Sequence, residues 1–133
     1  MPASILVVED NDDNMALIDY LLKAHGYSPL LARSGEEGVE VAMRERPEVI
    51  LLDIRLPGID GYEVAARLRG EPSLAATRIV AVTASVMADD RERIASAGLD
   101  GYIAKPLEPE TFIGQLERFL PGAGIADATE DER

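Results

Sequence analysis

The sequence predicts an α/β protein built on one doubly wound parallel sheet of five strands with helices on both faces. Short apolar runs rich in β-branched residues recur along the chain. Each is followed by a stretch of helical character, and the pair repeats five times. The strongest runs are uninterrupted rather than alternating, as in strands buried on both faces of a covered parallel sheet.

The elements follow in order. Ile5-Leu6-Val7-Val8 is the first run. The segment Asn14 to His25 then carries Met15, Ile18 and Leu22 on one helical face and stops at Gly26, a suitable residue just past a helix end. A weaker strand is expected over Ser28 to Ala32. Ser34 followed by Glu37 forms a capping box that opens a helix over Gly35 to Arg46. Val49-Ile50-Leu51-Leu52 is the most continuous run, and a helix is expected over Gly61 to Arg69. Ile79-Val80-Ala81-Val82 leads to a helix over Ala88 to Ala97, closed by Gly98. A second weak strand, Gly101 to Ala104, precedes a helix over Pro109 to Leu120. Its proline stands where a first helical turn tolerates it. Phe112, Leu116 and Phe119 share helical spacing there and read as core.

Residues 1–120 are thus expected to form one domain, and 121–133 an acidic, disordered tail with little apolar content. In 133 residues with 47% hydrophobic content there is enough apolar material for one core, and with 5% aromatics it must be mostly aliphatic. The absence of cysteine excludes disulfides and thiolate zinc sites. There is no leader-like basic and apolar start, and no run approaches the roughly 18 apolar residues of a membrane span. A cytoplasmic protein is expected. The net charge of −12 would repel a phosphate backbone, so neither nucleic acid nor membrane is an expected partner, and a monomer or weak dimer is.

In an open parallel sheet, ligands bind beyond the carboxyl ends of the strands. The residues leaving the strands are Glu9-Asp10 after the first, Asp53 at the third, Thr83 at the fourth and Lys105 after the fifth. Three carboxylates, a hydroxyl and an ammonium are therefore expected at one edge. A hard cation such as Mg²⁺ takes a few carboxylates and keeps waters for phosphate oxygens. Asp10 and one oxygen of Asp53 suit direct ligation, and Glu9 ligation through water. The other Asp53 oxygen is then a nucleophile that can form an aspartyl phosphate. Lys105 would offset the charge gained by the transferred oxygens, and Thr83 would donate a hydrogen bond to one of them. Asp12 and Asp13 read as acids favoured by a helix start, and His25 as a structural residue near terminal carbonyls.

These motifs resemble the response-regulator receiver family. Ile5 to Asn11 resembles its opening strand and acidic pair. Leu52 to Gly61 resembles its phospho-acceptor loop, Val82-Thr83-Ala84 its switch motif, and Tyr102-Ile103-Ala104-Lys105-Pro106 its lysine motif. The likeness covers about residues 4 to 120 and is closest to single-domain regulators of the DivK type. It implies a flavodoxin-like sheet of order 2-1-3-4-5, the backbone carbonyl of Arg55 as a further metal ligand, and a cis bond before Pro106. It also makes Tyr102 the aromatic partner of a moving Thr83, with a readout surface on the fourth helix, fifth strand and fifth helix. The implied donor is a phosphohistidine on a histidine kinase or phosphotransfer protein, and the output is phosphorylation-dependent binding of a downstream protein. Transfer to self without turnover of a free substrate is not enzyme activity in the usual sense.

Other readings are weaker. A receiver module of a hybrid histidine kinase would share every motif, although the initial Met1 and the tail favour a separate chain. A Mg²⁺-dependent phosphohydrolase usually needs a second carboxylate two residues beyond its nucleophile, where this chain has Arg55. Asp10, Asp12 and Asn14 begin like a calcium-binding EF-hand, but Met15 and Leu21 occupy the positions of its glycine and glutamate. Gly122-Ala123-Gly124 follows a helix rather than a strand and is not a dinucleotide fingerprint.

Overall fold

The computed structural model describes residues 3–84 and 87–120, apart from the side chains of residues 88 and 89. The expected tail and Gly122-Ala123-Gly124 lie outside these residues. The order of elements is β1 (Ile5–Val8), α1 (Asp12–Ala24), β2 (Leu30–Ala32), α2 (Gly35–Glu45), β3 (Val49–Asp53), α3 (Gly61–Arg69), a short 3-10 turn (Pro72–Leu74), β4 (Arg78–Thr83), α4 (Ala88–Ser96), β5 (Gly101–Ala104) and α5 (Pro109–Glu117). The five strands are all parallel, in the order β2-β1-β3-β4-β5. The predicted doubly wound, flavodoxin-like sheet is therefore the observed one.

Successive strand residues point to opposite faces, and the apolar residues divide accordingly. Leu6, Val8, Ile50, Leu52, Ile79 and Ala81 pack with α2, α3 and Ile94 of α4. Ile5, Val7, Val49, Leu51, Val80 and Val82 pack with Met15, Ile18 and Leu22 of α1 and with Phe112, Ile113 and Leu116 of α5. Two cores on one sheet explain why β1 and β3 are buried at every position. The same packing lets 5% aromatic content suffice.

Helix boundaries shift slightly from those expected, for local reasons. α1 begins at Asp12, two residues before the expected start, because the extended Asn11 is its N-cap; its side chain accepts from the Asn14 N–H at 2.9 Å. Past its end, Gly26 adopts φ +89°. The Gly26 N–H donates to Lys23 and the Tyr27 N–H to Leu22, satisfying carbonyls the helix leaves open. β2 is shorter than expected and starts after Pro29, which has no N–H to give a ladder. α5 stops at Glu117; beyond it the N–H groups of Phe119 and Leu120 donate three residues back, to Leu116 and Glu117, in a tighter turn. No helix among the described residues is long and apolar enough to cross a membrane.

One glycine matters for the site. Gly61 opens α3 directly against the end of β3, and its N–H donates to the Ile54 carbonyl at 2.9 Å. A Cβ there would lie 2.7 Å from the Asp53 carbonyl oxygen and 2.7 Å from the Ile54 Cα, both backbone atoms that cannot rotate away. Gly61→Ala is therefore expected to lower stability by about 1–3 kcal/mol through overpacking. Urea denaturation of the two proteins measures this, and an unchanged midpoint would contradict the close approach.

Candidate functional site

The sheet assembles the site through its register. β1 and β3 are neighbours with Val8 opposite Leu52, so the next residues, Glu9 and Asp53, emerge side by side. The Glu9 N–H continues the ladder on the other side, donating to Ala32 at 3.0 Å. Thr83 ends β4 opposite Ala104 of β5, and its carbonyl accepts from the Lys105 N–H at 2.8 Å. From that position the Lys105 side chain reaches back past β4. Its Nζ lies 3.2 Å from Glu9 Oε1 and 3.5 Å from Asp53 Oδ2.

Glu9 and Asp53 are almost fully buried, 1% and 5% exposed, whereas Asp10 is exposed. Oxygens of Glu9, Asp10 and Asp53 lie within 4.8 Å of one another. Asp53 Oδ1 accepts from the Arg55 N–H at 3.0 Å, and Glu9 Oε2 from the Asn11 N–H at 3.1 Å. Glu9 Oε1 is buried and has no hydrogen bond; it meets the Lys105 ammonium as an ion pair without hydrogen-bond alignment. One ammonium thus faces two buried carboxylates with a third alongside. Burial pushes the Asp53 carboxyl above its ordinary pKa. The Arg55 N–H opposes that shift, the neighbouring Glu9 adds to it, and the Lys105 charge opposes it more weakly.

This donor set fits a hard divalent cation. It is all oxygen, carries excess negative charge, and leaves one buried carboxylate oxygen short of a partner. It does not resemble a sulfur- or imidazole-ligated transition-metal site.

Every site residue expected from the sequence lies at this edge except Tyr102, whose side chain on β5 is 37% exposed. Thr83 is buried, and the Lys105–Pro106 bond is cis. The Arg55 side chain is exposed, and its backbone N–H donates to Asp53 Oδ1. Asp12 and Asp13 are exposed acids in the first turn of α1, and Asp12 pairs with Arg33. His25 Nδ1 lies 2.9 Å from the Leu21 carbonyl, the structural position expected of it. What the sequence reading did not anticipate is Asn11, which caps α1 and also supports Glu9. An Asn followed directly by the helix-start acids Asp12 and Asp13 was the available signal.

Residues 5–117 match the family model described as the response regulator receiver domain. The chain belongs to the response-regulator receiver family. It is 40% identical, over 92% of its length and 100% of the relative's, to the polar-differentiation response regulator DivK of Brucella anthropi. Among solved structures it is similar to the chemotaxis protein CheY4 of Vibrio cholerae, with a TM-score of 0.86 at 27% identity, covering 90% of this chain and 100% of that one. It is also similar to the receiver domain of a sensor histidine kinase from Pseudomonas aeruginosa, in which a magnesium ion is coordinated in the active site cleft. There the TM-score is 0.81 at 35% identity, over 90% of this chain and 98% of that one. The receiver domain is thus a signalling module of two-component systems, and its acidic edge is compatible with Mg²⁺.

The raised pKa of Asp53 has a consequence for the metal-free receiver domain. Between the unfolded and the higher folded pKa the native state binds more protons, so stability falls as pH rises through that interval. Above it, the folded protein bears the whole cost of the buried charge. Asp53→Asn is therefore expected to raise the thermal midpoint in EDTA at neutral pH and to narrow its lead over the native protein toward acid pH. Thermal scans of both proteins across this range, compared pairwise, provide the check; a lower midpoint for the variant at neutral pH would contradict the assignment.

Proposed function

We propose that Asp53 accepts a phosphoryl group from a phosphohistidine of a histidine kinase or phosphotransfer protein, with Mg²⁺ as cofactor. The observation that carries this reading is the pairing of buried Asp53 and Glu9 with the Lys105 ammonium, 3.5 and 3.2 Å away, at the open end of a parallel sheet. Asp10, one oxygen of Asp53 and the Arg55 backbone carbonyl would hold the ion directly, and Glu9 through water. Bound there, Mg²⁺ would neutralise the acidic cluster and polarise the phosphoryl oxygens.

The transfer is a simple exchange of bonds. An Asp53 carboxylate oxygen attacks phosphorus, a P–O bond forms, the P–N bond to the donor imidazole breaks, and the imidazole leaves with that electron pair. Lys105, already aimed at Asp53, offsets the charge gained by the oxygens, and Thr83 donates a hydrogen bond to one of them. The reaction is transfer to self and not turnover of a free substrate. A phosphohydrolase reading lacks the second carboxylate two residues on, because Arg55 stands there.

The signal then leaves by a population shift, since phosphate can bias an equilibrium only through unequal interaction with its two states. Thr83 moves toward the phosphate and Tyr102 turns from its exposed position toward the space behind it. The output surface is that of α4, β5 and α5, where a groove of about 430 Å³ is lined by Arg91, Ile94, Leu99 and Tyr102, among others. Within this reading residues 1–120 are the receiver domain, 121–133 an acidic tail of no switching role, and the setting is the cytoplasm. Similarity to a kinase-borne receiver favours one second reading, in which Asp53 passes the phosphoryl group onward to another histidine. Loss of label from the phosphorylated protein to a phosphotransfer protein distinguishes it.

Acetyl phosphate with Mg²⁺ is expected to add one labile acyl phosphoryl group at Asp53, none in Asp53→Asn, and to react about 10²-fold more slowly with Lys105→Ala. Mass mapping of the label to a serine, threonine or histidine would overturn the reading. Thr83→Ala is expected still to be phosphorylated yet to bind its downstream partner poorly, whereas a chain ending at Pro121 binds normally. Partner affinity, corrected for phosphorylation level, decides between Thr83 and the tail as the recognition element.

A further inference from the structure

α4 is more lightly seated than α1 and α5. Its sequence, Ala88-Asp89-Asp90-Arg91-Glu92-Arg93-Ile94-Ala95-Ser96, has one large apolar residue, Ile94, which is buried. By contrast, α1 buries Met15, Ile18, Leu21 and Leu22, and α5 buries Phe112, Ile113 and Leu116. Few apolar anchors mean a low free energy for local displacement. The residue before that anchor, Arg93, makes a contact outside the core. Its guanidinium carbon lies 3.9 Å from the centroid of the Tyr62 ring. Among the described residues Arg93 forms no ion pair, although Asp90 stands one helical turn away.

Tyr62 is well placed to act as a fixed post. It stands in the first turn of α3, is half-buried, and packs against the core beneath α2 and α3. The turn that carries it is held to the end of β3 by the Gly61–Ile54 hydrogen bond described above. Between Tyr62 and Arg93 lies a cleft of about 260 Å³, also lined by Ile54, Arg55, Thr83 and Asp90. One wall of the cleft is therefore the loop that follows Asp53. The opposite wall is Thr83 and the start of α4.

We infer that Tyr62 and Arg93 are positioning residues: their cation–π stack bridges this cleft and holds α4 in its resting place, setting how readily the switch is thrown. The inference rests on the proposed function, because it names a control on the same Thr83 movement. A guanidinium on an exposed aromatic face has a strength that corresponds to roughly a two- to fivefold bias in an equilibrium. That suits a tuning element: it restrains α4 without blocking it. Where a ligand binds only the switched form, its apparent affinity scales with the resting population of that form. Releasing the stack therefore raises that affinity by the same factor.

The test uses beryllofluoride with Mg²⁺ as the probe, titrated into the full chain and followed by calorimetry. Tyr62→Leu keeps the apolar packing and removes the ring. It is expected to raise the apparent beryllofluoride affinity roughly two- to fivefold. Arg93→Ala, on the exposed side of the contact, should do the same. The double variant should gain no more than either single one, because both remove one interaction. Tyr62→Phe retains the aromatic face and should match the native protein, an outcome that a general packing role for the tyrosine does not require. Unchanged affinity in Tyr62→Leu and Arg93→Ala, or additive gains in the double variant, would overturn the latch. Failure of the proposed function looks different: the native protein itself would not bind the probe, or Asp53→Asn would bind it equally well.

Discussion

Two buried carboxylates held side by side against one ammonium are the constraint on which the rest of this structure turns. Glu9 and Asp53 meet because β1 and β3 are parallel neighbours in a register that sets Val8 opposite Leu52. Water cannot separate them, since both are almost completely buried. Lys105 offsets part of their repulsion, and N–H groups of Asn11 and Arg55 take one oxygen of each. What remains is a site short of positive charge, at the end of a sheet that is otherwise apolar on both faces.

The two cores make this arrangement tolerable. A sheet packed on both sides keeps its strand ends from spreading, so the repulsion cannot be relieved by moving β1 from β3. The instability is local and fixed in place, which suits the cation and the phosphoryl group proposed for this site. The same rigidity gives the proposed switch something to move against. β4 and β5 are tied at their ends by the Lys105 N–H on the Thr83 carbonyl, so Thr83 and Lys105 are mechanically linked.

The two faces of the sheet are not equally firm. α1 and α5 bury rows of large apolar side chains, while α4 rests on Ile94 and the stack of Arg93 on Tyr62. In the proposed switch, one lightly held helix beside the reactive edge would carry the signal to the surface. Exposed Tyr102 lines a groove with Ile94 and Leu99, on the face proposed for output.

The sequence by itself determined the sheet, the order of elements and the residues at the reactive edge. Parallel strands all end on one side, so the residues that follow Val8, Leu52, Val82 and Ala104 must gather there whatever the details of packing. Capping was equally local: Ser34 accepts from the Glu37 N–H and Gly26 ends α1, although the Glu37 carboxylate closes on the Arg33 N–H and not, as a capping box would, on that of Ser34. Strand order came from family likeness, because apolar runs do not state which strand lies beside which. Only the tertiary structure decided that Glu9 is buried while Asp10 is exposed, and that Lys105 spans both Glu9 and Asp53. The meeting of Arg93 with Tyr62 was hidden for the same reason. It depends on how two helices, far apart in the chain, are turned about their axes when they pack, and local residue patterns do not encode that angle.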